Sequence, residues 1–158
     1  MPPAQSGVRR WLASTSNRTF VVYPLLVIAV ELAVRRGALT ILAWPLLLMA
    51  WGYLQYKLAG RYRLAQGGGG PGMSVPPERL VTTGPYRLTR NPMYLGHLIF
   101  LAGLALAFRS WFGAALLLVH LPWFHRRALD DEAQLAERFG DAYLQYARRV
   151  KRWIPGVL

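Results

Sequence analysis

The chain has 158 residues, of which 54% are apolar, with a net charge of +12 and no cysteine. That length suits one domain, and the missing thiols exclude disulfides, thiolate metal sites and cysteine nucleophiles. On a soluble chain such a charge points to nucleic acid, but here arginines flank apolar blocks of 14 to 20 residues, which points to a bilayer with anionic head groups and to no nucleic-acid partner.

Residues 1–18 are polar, with Arg9, Arg10 and Arg18 and room for a short interfacial turn at Trp11-Leu12. The first apolar block runs from about Thr19 to Val34 and lacks a cleavage pattern behind it, so it reads as a retained membrane segment. Its one acid, Glu31, precedes Arg35 by four residues, the spacing of a helical ion pair; the competing reading is a buried functional carboxylate. Arg35-Arg36-Gly37 reads as a turn. The second block, Ala38 to Tyr56, is uncharged and long enough to span. Pro24 and Pro45 are expected to kink these two helices.

Residues 57–91 read as a cytoplasmic connector. Gly67 to Gly70 followed by Pro71-Gly72 suits neither helix nor strand and is expected to be mobile; without a strand before it and a helix after it, it is no phosphate loop. Gly84-Pro85 marks a turn, and Asn91-Pro92 a helix start, with Asn as cap and Pro in the first position. The third block, Pro92 to Phe108, is separated by Arg109-Ser110 from a fourth, Trp111 to Phe124. Fourteen residues rise only about 21 Å against a hydrocarbon core of about 30 Å. The fourth helix is therefore expected to run on past Arg126 and Arg127, the alternative being a hairpin that does not fully cross. Gly140 is expected to stop it, Asp141 to cap the next helix, and Pro155 to end that one.

Sixteen of the nineteen Lys and Arg residues fall in the N-terminal tail, the connector and the segment after Phe124; Arg35, Arg36 and Arg109 fall in the two opposite turns. With four spans, the positive-inside rule places both termini in the cytoplasm. The predicted fold class is thus an all-α integral membrane protein of about four transmembrane helices plus cytoplasmic C-terminal helices. The single domain 1–158 divides into a helix pair (19–56), a connector (57–91), a second pair (92–124) and cytoplasmic helices (125–158).

Two stretches carry candidate chemistry, and this topology puts them side by side. One is Glu78 to His97, where a loop bearing Tyr86, Arg87 and Arg90 feeds an apolar helix. The other follows Phe124 and holds five of the seven acids, with Arg127 and Asp131 one helical turn apart and Glu132 beside them. Together they make a mixed-charge pocket suited to a ligand with cationic and anionic groups. The bland readings are a basic anchor for lipid and an amphipathic helix balancing its own arginines. His97 and His120 read as packing residues, each with one hydrogen bond, and no metal site is expected from them and His125.

The pattern Gly84-Pro85-Tyr86, Arg90-Asn91-Pro92, Tyr94, Gly96, then Asp131-Glu132, Leu135, Phe139-Gly140, Tyr143 and Tyr146 resembles the isoprenylcysteine carboxyl methyltransferase family, in a bacterial-type form related to phospholipid methyltransferases. The resemblance covers roughly Pro76 to Pro155. It implies a membrane methyltransferase using S-adenosylmethionine, seated in a bacterial inner membrane, with a lipophilic acceptor such as a prenylcysteine-like carboxylate. It assigns the cofactor to Glu78, Arg79, Leu80, Val81, Tyr86, Asn91, Pro92, Met93, Tyr94, Asp131 and Glu132, and matches Arg127 to an arginine that orients the substrate. Arg127, Asp131 and Glu132 are the implied catalytic set. Asn91 stands where eukaryotic members have His, and Asp131 where the usual pair is Glu-Glu. A phospholipid amine or a lipophilic small molecule is the alternative acceptor. A non-catalytic adaptor that binds anionic lipid or a protein partner is the alternative of another class.

Overall fold

The computed structural model describes residues 7–70 and 75–154, and every regular element among them is helical. Helix α1 (Gly7–Ala13) leads into α2 (Thr15–Asn17), a π turn (Arg18–Val22) and α3 (Tyr23–Val34), which together form one 20-residue rod, Thr15–Val34. The widened turn lies just ahead of Pro24. Proline has no N–H for the carbonyl four residues back and its ring presses on that carbonyl; a wider turn accommodates both. Glu31 and Arg35 form the expected pair at 2.7 Å. Arg35 also donates to the carbonyls of Phe108 and Arg109, at 3.1 and 3.2 Å, so it ties this helix end to a distant turn.

Three expected boundaries are corrected. Pro45 does not kink a helix but begins one, α4 (Pro45–Gly67), because a residue in the first turn has no partner to lose. Residues 38–43 are irregular, and Leu42 N–H donates to the Ala107 carbonyl at 2.8 Å. Helix α4 also runs beyond Tyr56 into the supposed connector, since Lys57 to Gln66 are mostly good helix formers. It takes in Gly67, expected to suit neither helix nor strand, and stops where Gly68 and Gly69 adopt φ of 70° and 79°; Pro71-Gly72 lie outside the described residues. The remaining helices are α5 (Pro92–Ala107), α6 (Trp111–Phe139) and α7 (Asp141–Arg149). Helix α6 continues past Phe124 as expected. Gly140 (φ 52°) makes the junction to α7, so Asp141 is the first helical residue and caps nothing. Helix α7 ends at Arg149, with Val150 extended, and Pro155 lies outside the described residues.

Helices α4 and α5 pack closest. A Cβ on Gly52 would stand 2.6 Å from the Gly96 carbonyl oxygen and the Phe100 nitrogen, and one on Gly96 would stand 2.7 Å from the Gly52 carbonyl oxygen. Only glycine lets these backbones touch. Val27, Phe100, Leu101, Leu104, Ala107 and Phe108 fill the adjoining core. Elsewhere the helices turn large apolar side chains outward: Leu47 is 72% exposed, and Leu118 and Val119 are each 66% exposed. Among the described residues, Thr15–Val34 is long and apolar enough to cross a membrane; Pro92–Ala107 is apolar but shorter. The turns at 35–44 and 108–110 meet at one end of the bundle, through the bonds of Arg35 and Leu42. The stretch 76–91, the extension of α6 beyond Phe124 and helix α7 gather at the other.

Candidate active site

At that second end the first turn of α5, the residues of α6 after Phe124, helix α7 and the 76–91 stretch enclose a cavity of about 240 Å³. Leu80, Val81, Tyr86, Asn91, Pro92, Met93, Tyr94, Arg127, Asp131 and Glu132 all line it. Glu78 and Arg79 do not: both are exposed, and their amides donate to the Gly67 carbonyl at 2.8 and 2.9 Å, closing the chain onto the end of α4.

Tyr94, 3% exposed, donates its hydroxyl to the carboxylate of Asp131, 37 residues away, so the two halves of the site are bonded to each other. Proline at the start of α5 and the continuation of α6 make this possible, since each brings its polar end to the same depth. Burial raises the pKa of Asp131, and the Tyr94 hydrogen bond and the Arg127 and Arg63 charges oppose that rise. Arg127 is held further in its charged form, first by hydrogen bonding to Tyr94, against the opposing effect of burial, and then by the Tyr94, Asp131 and Asp130 charges. Burial likewise raises the phenols of Tyr86 and Tyr146, and pushes Tyr143 up to about 12, so all three are neutral donors at physiological pH. Tyr146 uses its proton on the Tyr86 carbonyl at 2.6 Å, which docks α7 onto the turn at Gly84–Arg87.

Asn91 departs from expectation. It precedes α5 in the cap position, yet its side chain caps nothing and donates to Glu132 Oε1 at 2.9 Å and to the Arg152 carbonyl at 3.4 Å. Glu132, 8% exposed, takes two further bonds from Arg152, Nε at 2.9 Å and Nη2 at 3.1 Å, and pairs with Arg90 at 3.3 Å. Sequence reasoning missed Arg152 as a site residue, and no local signal could have found it: it stands 20 residues from Glu132, beyond the end of α7. Arg90 was in the motif, and its reach to the acid is visible only in three dimensions.

The histidines stay off the cavity. His97 is fully buried among Phe20, Tyr56 and Phe124 with no hydrogen-bond partner for either ring nitrogen, so its expected hydrogen bond is absent among the described residues. His120 meets the Tyr23 hydroxyl at 3.0 Å and the Leu116 carbonyl at 2.7 Å. No group of three His, Asp or Glu residues able to hold a metal occurs among the described residues.

What the cavity offers is an apolar wall (Leu80, Val81, Met93, Leu135), neutral donors, and an edge carrying both carboxylates and guanidinium groups. The family model described as phospholipid methyltransferase matches residues 38–142. Protein-S-isoprenylcysteine O-methyltransferase of Schizosaccharomyces pombe is 36% identical over 77 residues, covering 48% of this chain and 33% of that protein. Protein-S-isoprenylcysteine O-methyltransferase B of Arabidopsis thaliana is 35% identical over 81 residues, covering 51% of this chain and 41% of that protein. The chain thus spans well under half the length of these curated relatives. No solved structure matches it.

Proposed function

This chain belongs to the phospholipid methyltransferase family, and on that premise we propose that it is a four-span membrane enzyme that moves a methyl group from S-adenosylmethionine to a lipophilic acceptor. The observation that carries the proposal is the single cavity in which Tyr94 and Asp131 are bonded across two helices. Its composition fits the donor: apolar walls for a nucleoside and thioether chain, and paired charges for an amino-acid end.

When bound, S-adenosylmethionine supplies a methyl group on a sulfonium, open to in-line displacement. The chain's task is then positioning and exclusion of water. Leu80, Val81, Tyr86, Asn91, Pro92, Met93 and Tyr94 frame the donor, and Asp131 accepts from its polar groups. Arg127 stands at the same edge, near Tyr94, with a planar fork suited to a carboxylate. A carboxylate acceptor, the group that the names of the relatives imply, is already ionised near neutrality and needs orientation only. An amine acceptor, as the family description implies, must lose a proton; Asp131, with its raised pKa, is the group placed to take it.

The apolar exterior supports acceptor delivery from the bilayer. Four spans with the cavity end in the cytoplasm, in a bacterial plasma membrane, place sixteen of nineteen basic residues inside. The test is incubation of membranes with methyl-labelled S-adenosylmethionine. The label should enter a lipid or lipidated fraction with the wild type and not with Tyr94→Ala. Equal labelling with both would support the adaptor reading instead. Purified Arg127→Ala protein should lose turnover by about a hundredfold or more while keeping donor affinity. Equal loss of both would move Arg127 into the donor site.

A further inference from the structure

The resemblance assigns Glu132 to the methyl donor, but although it lines the cavity its carboxylate is engaged by three side chains of the chain itself. A carboxylate has about four acceptor positions on its two oxygens. Oε1 accepts from Asn91 Nδ2 at 2.9 Å and Arg152 Nε at 2.9 Å; Oε2 accepts from Arg152 Nη2 at 3.1 Å and is ion-paired with Arg90 Nη1 at 3.3 Å. Three of those positions are thus taken by hydrogen bonds from within the chain, and the Arg90 charge stands against the remaining one, on a residue only 8% exposed. Asp131, one residue earlier, has among the described residues one side-chain hydrogen bond, from Tyr94.

The same partners also sew two backbone segments together. Arg90 N–H donates to the Lys151 carbonyl at 3.0 Å, and Thr89 Oγ1 donates to the Arg152 carbonyl at 2.8 Å. Residues 89–91 lead straight into Pro92, Met93 and Tyr94, which line the cavity. The C-terminal segment 150–153 therefore acts on the cavity wall from behind, and Glu132 is the point where wall, α6 and segment meet.

We propose that Glu132 is a positioning residue that never touches the methyl donor. With Arg90, Asn91 and Arg152 it forms a closed knot that sets the 89–94 wall, and Asp131 alone of the pair faces the ligand. The inference rests on the methyl-donor reading above. A group that makes a direct contact is felt only by ligands carrying the matching atom. A group that sets the wall is felt by all of them alike.

The experiment is calorimetric binding to purified protein in detergent, with four probes: S-adenosylhomocysteine, its 2′-deoxy form, S-inosylhomocysteine and 5′-methylthioadenosine. The last three each lack one polar feature of the first. Glu132→Gln and Arg152→Gln should each weaken every probe by a common factor of about tenfold, the scale of one charge-assisted bond. The double variant should be no weaker than the worse single one, and Arg152→Lys should recover part of the loss, which a general weakening of the fold would not give. Asp131→Asn should weaken the probes unequally. A Glu132→Gln loss that vanishes for one probe, or that adds in full to the Arg152→Gln loss, overturns the inference. So does wild-type affinity in both single variants. Should Glu132→Gln fail to fold, Arg152→Gln and Arg90→Gln carry the same comparison across the four probes. Wild-type protein that binds none of them overturns the donor reading, and this inference with it.

Discussion

Asp131 is the residue whose ionisation matters most to the site. Burial raises its pKa in the folded chain, so the folded state binds this proton more tightly than the unfolded state. Stability from Asp131 is therefore full below its unfolded pKa and is lost as pH rises through the folded one. Asp131→Asn removes that dependence. Its melting temperature should exceed the wild type's at neutral pH, and the gap should close on acidification to about pH 4. A wild type that is the more stable at neutral pH would mean that Tyr94 and Arg127 outweigh burial. Tyr94→Phe removes the bond that lowers the pKa of Asp131, so the pH at which wild-type stability declines should move upward in that variant. At this scale the sequence was informative about Tyr94, Arg127 and Asp131, because each stands in a spaced motif. It was silent about Arg152, whose partner lies on another helix, and misleading about Asn91, where cap propensity yielded to a buried carboxylate in need of donors.

Element boundaries were legible where the local cue and the tertiary demand agreed. Helix α5 begins at Pro92 and α6 passes Phe124 for that reason. The apolar run on both sides of Pro45 suggests one continuous helix, whereas the stretch before it is irregular and bonds through Leu42 to the end of α5. The Pro24 turn shows the other outcome, a helix that widens where no end is available. The contact between α4 and α5 had no sequence signal beyond its glycines, and it is the most sensitive packing in the bundle. Gly52→Ala puts a methyl group 2.6 Å from two backbone atoms, which cannot swing aside as a side chain would. Such overpacking costs about 1–3 kcal/mol. Gly7→Ala, with open space around it, should change stability by less than about 0.5 kcal/mol. Thermal unfolding of the two variants in one detergent checks the contrast, and equal melting temperatures would contradict the close approach.

The whole molecule has two unlike ends. One holds the cavity and most of the basic residues; the other holds two turns pinned by Arg35. The chain has no cysteine, so single replacements report sidedness directly. Arg87→Cys and Arg109→Cys, both at exposed positions, should react with a membrane-impermeant maleimide from opposite faces of a sealed vesicle, position 87 from the cytoplasmic one. Reaction from the same face would break the four-span topology. The charge distribution carried that expectation and, through it, the meeting of the two motifs; the Tyr94–Asp131 bond that joins them needed the fold.

That meeting is the central claim, and photo-crosslinking tests it most directly. Irradiation of the purified protein with methyl-labelled S-adenosylmethionine should label peptides from both Asn91–Tyr94 and Arg127–Asp131, and excess S-adenosylhomocysteine should suppress both labels together. Label confined to one peptide, or label that the competitor does not displace, would contradict a shared donor cavity.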